Sequence, residues 1–507
     1  MSSVAVRVPT RAEVIAAAHE HNLGIPCTFQ IDSVCAQLGK KHVFTTAPTG
    51  SGKTLTFWLT LLFHDGIQLM CVNILGEKNA TELLQKLGIP AVNLVADAQL
   101  TAKIKDIKAL KYRVVIASPE TFMQNAEFRT LWSLPVFLRK LFGITFDEGH
   151  CITAWGGPDF RPAYKDIGAL QWQLYQYPVH FHFLSATFPA AVTSEIRRLF
   201  GIRREDLAMI RLSNDRPNIY IQVVEMLSTT SKLHDLKRVL ALPTSVEDPA
   251  RPPKFMIFAN KRRECESLVQ LIWAELPPEF RSKIVWFHAG MTDRFRANAM
   301  EQLRSGALWG IVCTDAAGMG LDLPDIELVI QWGYIASLST LIQRLGRVGR
   351  NPQMQARGVY FVESAHFDAA KARAAEAAAK RKAPEGDGPA KKKRKGREGK
   401  IVKIALDAVD RAEETAWCTA NAAPGSPEFP SPNGMDQSEY DERMMSMLVN
   451  SASRGLCVRL VANAYFKNPS TTPACACTNQ RCGGAKSLFN LPSRQVSPAS
   501  HPPASSE

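Results

Sequence analysis

Apolar runs alternate with mixed, helix-prone stretches from about residue 5 to residue 363. HVFTT (42–46), YRVVIAS (112–118), FGITF (142–146) and VHFHFLS (179–185) read as buried strands, rich in β-branched and aromatic residues. KFMIFA (254–259), IVWFHA (284–289), WGIVCT (309–314) and ELVIQW (327–332) repeat the style further on. Strands that alternate with helices predict parallel sheets covered by helices on both faces. Roughly 360 residues exceed one comfortable core, so two α/β domains are expected. We place them at 1–213 and 214–366, joined through the polar stretch Ser213-Asn214-Asp215-Arg216-Pro217-Asn218. Near the start, Thr10 and Glu13 have capping-box spacing, and Asn22-Leu23-Gly24 before Pro26 supplies a stop. That pattern predicts an ordinary helix rather than a signal peptide.

The pattern breaks after Phe367. Residues 369–379 are Ala-rich and helix-prone, 380–400 are strongly basic, and APGSPEFPSPNG (423–434) is rich in Pro, Gly and Ser. The span 367–434 therefore reads as a disordered linker. Two helices are expected at about 437–449 and 454–466, within a small subdomain at 435–490 that ends in cysteines. A Ser/Pro-rich tail, 491–507, is expected to be disordered.

Composition adds less than it first suggests. The net charge of +13 favours a polyanionic partner, but +8 of it lies between 371 and 400, so the folded remainder is only mildly basic. Eleven cysteines in 507 residues are too sparse for a disulfide scaffold and fit reduced, intracellular thiols. No segment reaches the roughly 18 apolar residues of a membrane span. A soluble protein is expected, with no membrane partner.

The chemistry is concentrated in two places. FTTAPTGSGKT (44–54) sets a glycine-rich turn between a buried strand and an apolar helix, the context a phosphate cradle needs. Thr49, Gly50, Ser51 and Gly52 would wrap the phosphates with backbone N–H groups. Lys53 would reach the β- and γ-phosphates, and the Thr54 hydroxyl would bind Mg²⁺. Ala47 stands where the first glycine of such loops is usual. The second place is FGITF-Asp147-Glu148-Gly149-His150, a carboxylate pair at the end of another buried strand. Asp147 would hold Mg²⁺ through water, and Glu148 would orient and deprotonate the attacking water. The pair follows Lys53 by 94 residues. Together they describe an enzyme that hydrolyses a nucleoside triphosphate.

With these motifs on the page, the sequence resembles the superfamily-2 helicases and, within them, the RecQ-like DNA helicases, over roughly residues 20–365 with a fainter echo at 436–482. The alanine-first loop is that superfamily's form. The resemblance implies two tandem RecA-like parallel-sheet domains, a basic disordered linker and a small helical subdomain. It implies ATP with Mg²⁺, and single-stranded and branched or tailed duplex DNA as partners. It also implies 3′-to-5′ unwinding in DNA repair or recombination.

Residue by residue, Gln30 looks like the glutamine that reads adenine, with a plain helix-surface residue as the other reading. His150 and Ser185-Ala186-Thr187 look like the parts that couple hydrolysis to domain movement. CITAWGGPDFRPAYKDIG (151–168) looks like the family's aromatic-rich loop. There Trp155 and Phe160 would stack bases, worth roughly 1–3 kcal/mol each, and Arg161 would contact phosphate. The extra residue in Gly157-Pro158 departs from the family's usual spacing. CTDAAGMGLDLPD (313–325) looks like the motif that touches the nucleic-acid backbone through Thr314 and the nucleotide through Asp322. TLIQRLGRVGRN (340–351) looks like the arginine-finger motif. Gln343, Arg347 and Arg350 at i, i+4 and i+7 would share one helical face.

The tail is less decided. Cys457, Cys475, Cys477 and Cys482 look like the family's zinc site, although C-x-C-x4-C replaces C-x2-C-x2-C, and a remnant with free thiols is the other reading. KKKRK (391–395) reads as a nuclear-localisation signal, implying an import receptor, or as a phosphate-binding linker. A winged-helix domain needs on the order of 100 residues, and 25 follow Cys482, so that wing and an accessory C-terminal domain are not expected here. Two further readings stay open: an ATP-gated DNA clamp without productive unwinding, and an RNA helicase on the same scaffold.

Overall fold

The computed structural model describes residues 7–71, 76–95, 97–154, 166–227, 232–248, 251–317, 323–351, 353–381, 403–421, 428–468 and 482–483. Seven strands come first: β1 (His42–Thr46), β2 (Ile67–Cys71), β3 (Ala91–Leu94), β4 (Val114–Ala117), β5 (Leu141–Phe146), β6 (His180–Ser185) and β7 (Leu207–Arg211). They pair in the order β3-β4-β2-β5-β6-β1-β7, and every pairing is parallel. Parallel neighbours need long crossovers, which place helices over the faces and leave interior strands dry on both sides. Accordingly β2, β4, β5 and β6 are buried at every position.

The second sheet contains β8 (Ile219–Glu225), β9 (Phe255–Phe258), β10 (Ile284–Phe287), β11 (Gly310–Cys313), β12 (Leu328–Trp332), β13 (Ala356–Val362) and the short β14 (Cys482–Gly483). Its order is β10-β11-β9-β12-β13-β8-β14, again parallel throughout. All eight apolar runs singled out in the sequence are strands, and the chain crosses from one sheet to the other between Arg211 and Ile219. The first helix, Arg11–Glu20, carries the full capping box of Thr10 and Glu13. Among the described residues no helix is long and apolar enough to cross a membrane.

Two expectations about the second half need correction. The span 367–434 is not only linker: the helix-prone 369–379 fall in the helix Asp368–Arg381 as expected, but a second helix, Ala408–Asn421, was not foreseen. The second of these reaches back to the first domain through charge. Arg197 pairs with Asp407 and Asp410 at 3.0 Å each, and Arg204 pairs with Asp410 at 2.8 Å and Glu413 at 3.0 Å. The basic run itself, with KKKRK, lies outside the described residues. The helices Gln437–Val449 and Val458–Phe466 form as expected, the second beginning later than 454. They do not stand apart, because Tyr440, Met444, Met445, Val461 and Tyr465 share one core with Ile219, Leu341 and Leu345 of the second domain. Burying side chains of this kind stabilises by roughly 1.5–3 kcal/mol each.

Candidate active site

Ligands of open parallel sheets bind at the carboxyl ends of the strands, and register brings the motifs together there. Thr46 at the end of β1 lies beside Ser185 at the end of β6, and β5 runs against the other side of β6. The chain leaves β1 with Ala47 N donating to Ser185 O at 3.1 Å and enters the glycine-rich turn. Ala47 is fully buried, and its backbone is not among those with positive φ, so no glycine is required there. Gly52 is different. Its φ is +77°, and a Cβ there would stand 2.8 Å from Gln30 Nε2. The short helix Leu55–Trp58 follows, with Thr54 exposed at its head.

Lys53 Nζ donates to Ala47 O at 3.0 Å and Pro48 O at 3.1 Å. Burial pushes its pKa down, Glu148 and Asp147 oppose that, and Arg347 and Arg350 add to it. Arg347 and Arg350 belong to the second domain, so charges of both domains act on the lysine. Gln30 is buried against the same turn rather than lying on a helix surface. Its Oε1 accepts from Cys27 N at 2.7 Å and its Nε2 donates to Gly52 O at 2.9 Å. One proton and one lone pair of that amide remain for a base edge.

Asp147 and Glu148 directly follow β5. Burial, and then the neighbouring Glu148 charge, push the Asp147 carboxyl above the usual carboxylate range, against the pull of Lys53. Glu148 has φ +51°, a left-handed conformation that is uncommon for a residue with a side chain. Its Oε2 is buried without a hydrogen-bond partner among the described residues. An acidic pair of this kind, half-buried and acting on Lys53 of the glycine-rich turn, fits a divalent cation bound to phosphates.

Next along the chain, His150 ties the site to the second domain. Its Nε2 accepts from Gln343 Nε2 at 3.0 Å, so the ring proton belongs on Nδ1, which donates to Ser185 Oγ at 2.8 Å. Glu148 Oε2 lies 3.4 Å from the same Nδ1. Gln343 Nε2 also donates to Thr187 Oγ1 at 2.9 Å. Burial, aided by the Lys53 charge and opposed by Glu148, holds the imidazole neutral. One amide from the second domain thus touches both coupling motifs of the first.

The arginine motif differs from expectation. Gln343 lies on the helix Leu338–Leu345, which stops before either arginine. Gly346 caps it, and Gly349 turns the chain at φ +59°, where a Cβ would stand 2.9 Å from both Ala356 Cβ and Asn218 Nδ2. Arg347 and Arg350 therefore sit in a loop beyond the helix rather than on one helical face with Gln343. Arg347 is buried, which with the Arg350 charge pulls its pKa down to about 10 despite Glu148 and Asp315. Its Nε is buried and unpartnered among the described residues.

Residues outside the expected set hold this arrangement. Register sets Cys313 of β11 and Gln331 of β12 beside Phe258 of β9. Arg344, buried, spans their ends. It takes Asp315 with both Nε and Nη2 at 2.8 Å, and donates from Nη1 to Gln331 Oε1 at 2.6 Å and Asn260 Oδ1 at 3.1 Å. Thr314 directly follows β11, half-buried and next in the chain to Asp315 of that clamp. An arginine inside an otherwise apolar helix face was the available signal. Trp155, Phe160, Arg161, Asp322, Cys475 and Cys477 lie outside the described residues. Cys457 is the cap of the helix Val458–Phe466, and for Cys482 only the strand backbone is described. Among the described residues no group of three or more His, Cys, Asp or Glu could hold a metal ion, so zinc gains no structural support.

Comparison with known proteins agrees with this geometry. The DEAD/DEAH box helicase family matches residues 28–196, and the helicase conserved C-terminal domain matches 231–352. The ATP-dependent DNA helicase hus2/rqh1 of Schizosaccharomyces pombe is 28% identical over 334 residues, 64% of this chain and 24% of that protein. The probable ATP-dependent DNA helicase RecS of Bacillus subtilis is 27% identical over 327 residues, 64% of this chain and 61% of the relative. The chain thus spans less than two thirds of either relative. Among solved structures, the DUF1998 helicase MrfA bound to DNA superposes with a TM-score of 0.56 at 18% identity, covering 88% of this chain and 61% of that one. A variant of S. cerevisiae Dbp5 bound to RNA and ADP BeF3 gives 0.52 at 16% identity, over 69% of this chain and 87% of that one. Both likenesses are of fold.

Proposed function

This chain belongs, in its core of residues 28–352, to the RecQ-like superfamily-2 helicases, and from that premise we propose that it is an ATP-dependent DNA helicase moving 3′ to 5′ on single-stranded DNA. One observation carries the reading: the nucleotide pocket is split. Lys53, Asp147 and Glu148 come from one domain, Gln343, Arg347 and Arg350 from the other, and Gln343 spans the cleft to His150 and Thr187.

Phosphates of ATP would lie on the backbone of 49–54 with Lys53 at the β- and γ-groups. Magnesium held by Thr54 and Asp147 would offset charge between those phosphates. Glu148, whose Oε2 has only the His150 ring beside it among the described residues, would take the proton of the attacking water. Arg347 and Arg350 stabilise the transferring charge only while the cleft is closed, so hydrolysis and domain position depend on each other. Gln343 and His150 carry that dependence between the domains.

DNA rather than RNA is supported by the names of hus2/rqh1 and RecS. The direction of travel and a role in repair or recombination rest on the family resemblance. A nuclear location, with an import receptor as partner, rests on the basic run at 391–395.

The test is direct. Single-stranded DNA should stimulate ATP hydrolysis, and Lys53→Ala should lower kcat by about 100-fold or more. A 3′-tailed duplex should be unwound and a 5′-tailed one left intact. Hydrolysis that survives Lys53→Ala would show the pocket to be misassigned. Stimulated hydrolysis with the 3′-tailed duplex untouched would favour an ATP-gated clamp.

A further inference from the structure

The passage from β7 to β8 is gripped from outside both sheets. Arg459, on the helix Val458–Phe466, pairs with the Asp215 carboxylate and donates to Arg216 O at 3.0 Å and to Ile219 O at the head of β8. Past that helix, Lys467 at φ +51° turns the chain, and Asn468 meets Asn214 twice. Its Oδ1 accepts from Asn214 N at 3.1 Å, and its Nδ2 donates to Asn214 Oδ1 at 2.8 Å. Arg459 is 5% exposed and Asn468 4%, so these bonds form out of water, where each matters most.

Both contacts lead on to the pocket. Asn214 Nδ2 donates to Ala186 O at 3.2 Å, and Ala186 lies between Ser185 and Thr187, whose hydroxyls receive His150 and Gln343. Arg216 and Asn218 both donate to Gly349 O, the latter at 2.8 Å, in the loop between Arg347 and Arg350. A cavity of about 40 Å³ has Thr49, Thr187, Asp215, Gln343, Arg459 and Asn463 in its wall, so the grip, the phosphate turn and the coupling residues adjoin one space. Asn468 is itself fixed, its carbonyl accepting from Trp417 Nε1 at 2.7 Å on the helix Ala408–Asn421.

We propose that Arg459 and Asn468 are positioning residues for ATP hydrolysis: from a segment belonging to neither motif set, they hold the interdomain passage so that Gln343 and the arginine loop meet His150 and Lys53. This rests on the ATPase reading above. Neither residue belongs to the phosphate turn, the carboxylate pair or the arginine loop. Each acts through the passage, one toward the Ser-Ala-Thr turn and the other toward the arginine loop.

The experiment compares Arg459→Gln combined with Asp215→Asn, which removes both charges and leaves none buried unpaired, with Asn468→Ala. Hydrolysis is followed at saturating oligothymidylate over a range of ATP, with thermal unfolding in parallel. In each variant kcat should fall about tenfold while KM for ATP stays within about twofold, because the phosphate turn is untouched. Arg459→Lys keeps the pair but not the fork onto two carbonyls, and should fall between. A folded double variant with wild-type kcat overturns the proposal. Should that variant fail to fold, wild-type kcat in Asn468→Ala overturns it instead. If the wild type fails to hydrolyse ATP, or Lys53→Ala stays active, the pocket reading itself fails, a result distinct from both.

Discussion

His64 and His182 lie buried in the first domain, and among the described residues no carboxylate charge acts on them. His182 Nε2 is 3.0 Å from Thr45 Oγ1, and the His64 ring stacks on Phe142 with centroids 3.5 Å apart. Burial, helped for His64 by Arg113 and Lys40, lowers both to about 3 from the ordinary 6.5. A base held neutral in the fold but free to charge when unfolded gives the unfolded chain more protons at acid pH. Their contribution is complete above 6.5 and declines as pH falls toward 3, by about 1.4 kcal/mol per pH unit for each ring. Urea midpoints should therefore drop between pH 7 and 5, and His182→Gln should make that drop shallower. An unchanged slope would show the ring reaches solvent. At this scale Lys53, Asp147 and Glu148 were legible because each stands in a local pattern at a strand end. Arg459 and Asn468 were not, since their partners lie 244 and 254 residues away and nothing local records the pairing.

Gly52 shows what an element demands of one position. The turn between β1 and its helix closes only with a left-handed residue that keeps clear of Gln30. Gly52→Ala adds a strained backbone, about 1–2 kcal/mol, and a clash with the Gln30 amide. We expect KM for ATP to rise about tenfold while the melting temperature moves only a few degrees; unaltered nucleotide affinity would refute the turn's assignment. Richness in aromatic and β-branched residues made eight strands readable but did not suffice, since β8 (IYIQVVE), β13 (ARGVYFV) and the fully buried β2 (IQLMC) were missed. β3 and β7 went unread because they lie at the sheet edges and are incompletely buried, so their composition is ambiguous. The helix Leu338–Leu345 was read too long because a 3.6-residue period continues through Gln343, Arg347 and Arg350 even though Gly349 breaks the chain's course.

Across the whole molecule, the helix Ala408–Asn421 is where composition misled. Its surroundings in sequence look like linker, but Asp407, Asp410 and Glu413 answer arginines roughly 200 residues earlier, a match visible only in three dimensions. Arg197 and Asp410 are 13% and 14% exposed, so this is more than a solvated surface pair. Asp410→Lys should cost about 2 kcal/mol and separate unfolding of the first domain from the rest. A single transition, unshifted in urea, would show that the helix adds nothing to cohesion. The grip of Arg216 and Asn218 on Gly349 carries a last consequence, for anyone recombining such proteins. Residues 215–218 travel with the second sheet, whatever a division by motif suggests. A chimera spliced after Asn218 would inherit a foreign foundation under its arginine loop, whereas a splice ahead of Asp215 transplants loop and foundation as one piece.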